Sequence, residues 1–169
     1  DDPFADCEVV VEQRIVNQRV APAPLEVRAG AARVEPDGRL TVWSCTQNPH
    51  STRDGLAAQL GLDADSVHVI TPDVGGGFGA KTGTYPEEVL LGWLARRVGR
   101  PVRWVETRTE SMLNLGHGRG QVQYARLGGT RDGRLLAYHL RLVQDCGAYP
   151  VGGIYMPMLT RMMAPGVYD

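Results

Sequence analysis

The chain is poor in cysteine, and none of its cysteines is paired in sequence. Cys7, Cys45 and Cys146 are odd in number, widely spaced and without a C-x-x-C motif. That pattern argues against a disulfide framework, a zinc site or an iron–sulfur cluster. Reduced thiols in a cytoplasmic protein are the expectation. Charge of one sign is missing too: 18 basic and 19 acidic residues leave a formal net charge of -1. They are spread along the chain, so there is no basic stripe for nucleic acid and no polybasic patch for a membrane. No apolar run approaches the roughly 20 residues that span a bilayer. The start carries neither a signal peptide nor an initiator methionine, and it reads as a cut end. His50, His68, His117 and His139 stand alone, with no second ligand at helix or strand spacing. Each reads as structural, and no metal ligand is assigned.

What is present is ordinary globular composition over 169 residues, 43% hydrophobic and 22% charged, enough for one domain with a core. Short strands and helices alternate, without repeats or low-complexity tracts. Cys7 to Val16 reads as a strand, and Ala21-Pro22-Ala23-Pro24 as an extended, proline-fixed connector. Ala31 to Val34 and Arg39 to Cys45 flank a hairpin turn at Glu35-Pro36-Asp37-Gly38. Asn48 before Pro49 marks a helix start and Gly61 its end. Val67 to Thr71 is expected to be a buried strand. Thr84-Tyr85-Pro86-Glu87 predicts a second helix opened by a capping box with its cap at Thr84, carrying an apolar stripe at Val89, Leu90, Trp93, Leu94 and Val98. Val102 to Val105 is a strand, and Gln121 to Leu127 pairs with Leu135 to Val143 across Asp132-Gly133. The last twenty residues, with Met156, Met158, Met162 and Met163, lose periodicity and look like an interrupted domain.

The most telling stretch is Thr71-Pro72-Asp73-Val74-Gly75-Gly76-Gly77-Phe78-Gly79-Ala80-Lys81-Thr82, in which a strand empties into four glycines around one phenylalanine. Glycines bring backbone N–H groups close to a ligand, and the loop suits a phosphate or a phosphorylated cofactor. Three readings compete. Gly75 to Thr82 matches a P-loop except at its last glycine, but Gly83 and Pro86 follow where that motif needs an immediate long helix. Gly75-x-Gly77-x-x-Ala80 fits a dinucleotide fingerprint, but Pro72-Asp73 breaks the tight turn before it.

The third reading uses more of the chain. Pro72-Asp73-Val74 before the loop, Gly-Gly-Gly-Phe-Gly-x-Lys within it, and Thr46-Gln47-Asn48-Pro49-His50 upstream together resemble the molybdenum hydroxylases of the xanthine oxidase and aldehyde oxidase family. The similarity is nearest to large subunits of the aerobic carbon monoxide dehydrogenase type. Val11-Glu12-Gln13-Arg14, Ala21 to Glu26, Gly99 to Arg108 and Asp145-Cys146-Gly147-Ala148-Tyr149 support it, in family order over nearly all of the chain.

The resemblance implies molybdopterin with molybdenum, often as a cytosine dinucleotide in bacteria. It places Gly76, Gly77, Phe78 and Gly79 against the metal end of that cofactor, and Gln47 with its side-chain amide beside the molybdenum ligands as the catalytic candidate. A neutral amide can donate there without competing for the metal. Two of these residues have plainer readings: Phe78 as a core residue, and Gln47 as a satisfier of backbone groups near a helix start. Lys81 has three, as a balance for anionic cofactor, a loop-holding ion pair or a solvated lysine. Thr82 stands where xanthine-oxidising members carry a glutamate, which puts purine hydroxylation in doubt.

The fold class expected is α+β, with mixed sheets backed by helices, residues 1–169 forming part of the first molybdopterin-binding domain. The second cofactor domain, the active-site loop and the general-base glutamate are expected beyond Asp169. The parent would be a cytoplasmic oxidoreductase acting on carbon monoxide, an aldehyde or an N-heterocycle, with water as oxygen source and iron–sulfur and flavin subunits as partners. The isolated chain is expected to be inactive, with no cofactor bound. A non-catalytic interaction module and P-loop-like nucleotide binding through Gly75 to Thr82 are the alternatives.

Overall fold

The computed structural model describes residues 2–150 and 153–167. The chain divides into two compact units, one formed by Ala21–Gly116 and one by the residues before and after it.

The Ala21–Gly116 unit is a mixed four-stranded sheet backed by helices. Its strands are β2 (Ala29–Val34), β3 (Leu40–Ser44), β4 (Val67–Ile70) and β5 (Val102–Val105), in the order β4-β3-β2-β5. The β2–β3 pair is the expected antiparallel hairpin, with Val34 opposite Leu40, and β3–β4 is parallel. The crossover between those two strands is α1 (Pro49–Leu60). That helix begins and ends where the sequence indicates: the Asn48 side chain accepts from the Ser51 N–H, and Gly61 closes it in the left-handed conformation at φ 65°. Ala32, Leu40 and Val42 of the sheet pack with Leu56 and Ala57 of α1 and with Leu91 and Ala95 of α2 (Pro86–Val98). Strand β4 was expected to be buried, but it lies at the sheet edge and only Val67 is buried there.

Two expectations for α2 are corrected. The residues on its inner face are Leu91, Gly92 and Ala95, whereas Leu90, Trp93 and Val98 are about half exposed. The reason is close approach. A Cβ at Gly92 would lie 2.9 Å from Leu60 Cδ1 and 3.2 Å from Leu40 Cδ2, so small residues make the contact and large ones turn outward. The cap also falls one residue later, at Tyr85, whose N–H donates to Glu88 Oε2 at 2.9 Å. Glu87 is drawn away by Arg28, to which it offers both oxygens at 3.1 Å. Burial disfavours the Arg28 charge, but its bonds to Glu87 and Glu106 outweigh that and hold it protonated. The connector before β2 is not extended throughout, since Ala23 sits at φ 46°. A short helix that the sequence reading missed, α3 (Arg108–Asn114), opens on a capping box between Thr107 and Glu110.

In the other unit, β1 (Val9–Asn17), β6 (Gln121–Gly129) and β7 (Leu135–Gln144) form an antiparallel sheet in the order β1-β6-β7. The hairpin across Asp132-Gly133 is present as expected. The methionine-rich end is not aperiodic, because residues Met156–Met163 form helix α4. Its Thr160 side chain takes a hydrogen bond from Gln121 Nε2 at 3.2 Å. The expectations for Val151, Gly152, Tyr168 and Asp169 lie outside the described residues.

Candidate functional site

The glycine loop leaves β4 and returns toward α2, all within the Ala21–Gly116 unit. Its backbone alternates in a way that most residues resist: Gly76 lies at φ 98°, Phe78 at 52° and Gly79 at 85°. Such reversals turn successive N–H groups toward a common side, the geometry of an anion-binding nest. Phe78 adopts it despite its side chain and is 75% exposed, so it is not a core residue.

Gln47 meets the loop directly. Its Oε1 accepts from the Gly79 N–H at 3.0 Å and the Lys81 N–H at 3.1 Å, while its own N–H donates to the Lys81 carbonyl at 2.8 Å. A Cβ on Gly77 would fall 2.4 Å from Gln47 Cδ and Oε1. The structure thus brings Gln47, Gly77 and Gly79 together, with Gly76 against the Phe78 ring and Pro24. Gln47 does satisfy backbone groups, those of the loop, but only through its oxygen. Its Nε2 donor has no hydrogen-bond partner among the described residues, nor do the N–H groups of Gly76, Gly77 and Phe78. Four donors in this short stretch of chain and its Gln47 contact are thus without a protein acceptor among the described residues. Around Gly79 there is open space, with nothing within 4 Å of an added Cβ.

Lys81 is the loop-holding ion pair. Only 2% of it is exposed, and its Nζ donates to Glu26 Oε2 at 2.7 Å and to the Glu26 carbonyl at 2.9 Å. This goes against the P-loop alternative, which needs that ammonium free to reach a phosphate and a helix entered at once, whereas α2 starts at Pro86. Thr82 Oγ1 donates to the Gly79 carbonyl at 3.0 Å and holds the loop from its exit side.

Three supporting residues carried no role in the sequence reading. Glu26 takes the Gly75 N–H at 3.0 Å as well as Lys81. The Tyr85 hydroxyl donates to the Ala80 carbonyl at 2.6 Å, and burial lifts that phenol above its usual range. Arg108 Nη2 donates to the carbonyls of Pro24 and Leu25 at 2.7 Å each. The only available signal was that Glu26 and Arg108 lie in the stretches carrying the family resemblance. No local spacing joins Glu26 to Gly75 and Lys81, or Arg108 to Pro24 and Leu25, so far apart in sequence.

Comparison with known proteins identifies the family. The family described as "Molybdopterin cofactor-binding domain" matches residues 1–169. The "Nicotine 6-hydroxylase large subunit" of Paenarthrobacter nicotinovorans is 36% identical over 100% of this chain and 21% of its own length. The "Carbon monoxide dehydrogenase large chain" of Afipia carboxidovorans is 37% identical over 88% of this chain and 18% of its own. Among solved structures, quinoline 2-oxidoreductase from Pseudomonas putida 86 superposes with a TM-score of 0.80 at 38% identity, covering 87% of this chain and 19% of that one. The chain therefore spans about a fifth of the length of each of these three relatives. These likenesses place the chain in the molybdopterin cofactor-binding domain family of the molybdenum hydroxylase large subunits.

Proposed function

We propose that Gly76, Gly77, Phe78 and Gly79 seat the anionic, metal-bearing end of molybdopterin, and that Gln47 Nε2 donates a hydrogen bond to a ligand of the molybdenum. The observation that carries this is the set of unspent donors: three consecutive backbone N–H groups beside a side-chain amide whose oxygen is already committed. They fit a phosphorylated, oxo-bearing group, since an anion can accept from several such donors at once. When bound, the cofactor supplies two-electron redox chemistry at the metal. The chain's own part is to hold, orient and donate. Gly76 and Gly79 keep the N–H groups turned outward, Gln47 fixes the loop through Oε1 while presenting Nε2, and exposed Phe78 covers the seat with an apolar ring.

On this reading residues 1–169 are part of the first cofactor-binding domain of a longer protein. The whole protein is a molybdenum-dependent oxidoreductase that oxidises a small substrate such as carbon monoxide, an aldehyde or an N-heterocycle, with water as oxygen source. Iron–sulfur and flavin subunits carry the electrons away. The relatives named for nicotine and quinoline support the N-heterocycle class, and the one named for carbon monoxide supports the first. The cytosine dinucleotide form of the pterin and a cytoplasmic location belong to the same proposal.

The test is metal and pterin analysis of the full-length protein and of its Gly77→Val variant. A valine here drives into Gln47, displacing both the amide and the loop it holds. Folded protein with molybdenum and pterin each reduced at least tenfold is expected. Normal cofactor content in Gly77→Val would show that the loop is not the seat.

A further inference from the structure

We infer that Glu26 and Lys81 are the positioning pair of the glycine loop, fixing its backbone for ligand before any ligand arrives; this rests on the reading of the loop given above. The loop's entrance and exit converge on one atom. Glu26 Oε2 accepts the Gly75 N–H at 3.0 Å and the Lys81 ammonium at 2.7 Å, and the Glu26 N–H returns a bond to the Gly75 carbonyl at 3.1 Å. The approach is so close that a Cβ on Gly75 would lie 2.6 Å from that of Glu26. On the far side Gln47 Oε1 gathers Gly79 and Lys81 in the same way. Two single oxygens thus secure both ends of the segment, and the N–H groups left without protein partners are those between the anchors.

A stabilising role alone does not account for this arrangement. The pair lies outside the apolar cluster of Leu40, Val42, Leu56 and Leu91. Lys81 is buried and the Glu26 side chain is 34% exposed; such pairs contribute little net stability compared with uncharged residues of similar shape, because the cost of taking charge out of water offsets the attraction. In some proteins their benefit is a fixed geometry. Here that geometry is of the one segment whose donors must point at a ligand without reorganising. The pairing also cancels the lysine charge under the loop, so recognition is left to N–H dipoles.

Hydrogen exchange on the full-length apoprotein reads the clamp without any cofactor. In the neutral double variant Glu26→Gln/Lys81→Met, the peptide covering 75–81 is expected to exchange at least tenfold faster, while peptides of β3 and α1 and the melting temperature stay as in wild type. Lys81→Met alone gives the same loop exchange, and Lys81→Arg, which keeps a cationic donor, restores protection. Molybdenum and pterin content of the corresponding purified proteins falls at least tenfold with the unprotected variants and returns with arginine. Unchanged exchange over 75–81 in both methionine variants would overturn the inference, as would protection that stays lost with arginine. Faster exchange with undiminished cofactor content would instead sustain the clamp and overturn the loop as the cofactor's seat.

Discussion

Gln47 divides its work between two atoms, and that division decides which substitution is informative. Oε1 holds the Gly79 and Lys81 amides, so alanine would loosen the loop and remove the donor together. Gln47→Glu keeps an acceptor for the loop amides in place, while it replaces the Nε2 donor by an anionic oxygen that repels a ligand of the metal. With a positioned donor worth about 2.7–4 kcal/mol where charge develops, turnover per bound molybdenum in the full-length enzyme is expected to fall on the order of 100-fold or more. Metal analysis beside the rate measurement separates this from lost loading, and an unaltered rate per molybdenum would return Gln47 to a loop-holding role. Phe78 makes the opposite kind of prediction. Its ring is 75% exposed, so Phe78→Ala should leave the thermal stability of the chain within about 0.5 kcal/mol, as for other surface substitutions. Leu56, fully buried, should lose about 2–5 kcal/mol on the same change. Equal losses in the two variants, read by urea denaturation, would mean that Phe78 packs after all.

At the scale of elements, what could be read from sequence was whatever is decided within a few residues. Asn48-Pro49 and Gly61 delimit α1, and Glu35-Pro36-Asp37-Gly38 makes its hairpin, because caps and turns are local chemistry. Asn48→Ala should accordingly cost about 0.5–2 kcal/mol in denaturant unfolding, and a loss below that range would show that Pro49 sets the helix start unaided. The inner face of α2 could not be read in the same way. Hydrophobic periodicity points to Leu90, Trp93 and Val98, but the side that faces the sheet is selected by how near the backbone can come, and Gly92 and Ala95 permit the nearer approach. The cap register slipped for a related reason, since the choice between Glu87 and Glu88 is made by Arg28, distant in sequence. The capping box of α3 is local in the same sense, since Thr107 and Glu110 stand three residues apart. At the site, the glycines and Gln47 stood out because their residue types are unusual in such a pattern. Glu26 did not, since a carboxylate 55 residues from its lysine leaves no mark of pairing in the chain.

For the whole molecule, the question is how much of a cofactor seat this chain can supply. Every residue assigned to cofactor lies in the Ala21–Gly116 unit, along one loop and one helix start. The unspent donors are the N–H groups of Gly76, Gly77 and Phe78 and the amide of Gln47. Hydrogen bonds to a charged acceptor are worth about 1.5–3 kcal/mol each, so four of them contribute on the order of 6–12 kcal/mol. Association of two free bodies costs an estimated 4–15 kcal/mol in lost translation and rotation. The two ranges overlap almost entirely, so these four bonds by themselves do not secure tight retention. Tight retention then requires contacts from elsewhere in the longer protein, in keeping with relatives of which this chain spans about a fifth. We therefore expect the 169-residue chain, expressed alone and passed through gel filtration, to carry no stoichiometric molybdenum or pterin and to show no oxidase activity. Elemental analysis of the eluted protein checks this. One molybdenum per chain would mean that these donors act with further contacts inside residues 1–169 and form a complete seat, and the proposal of a site shared with the rest of the protein would then fall.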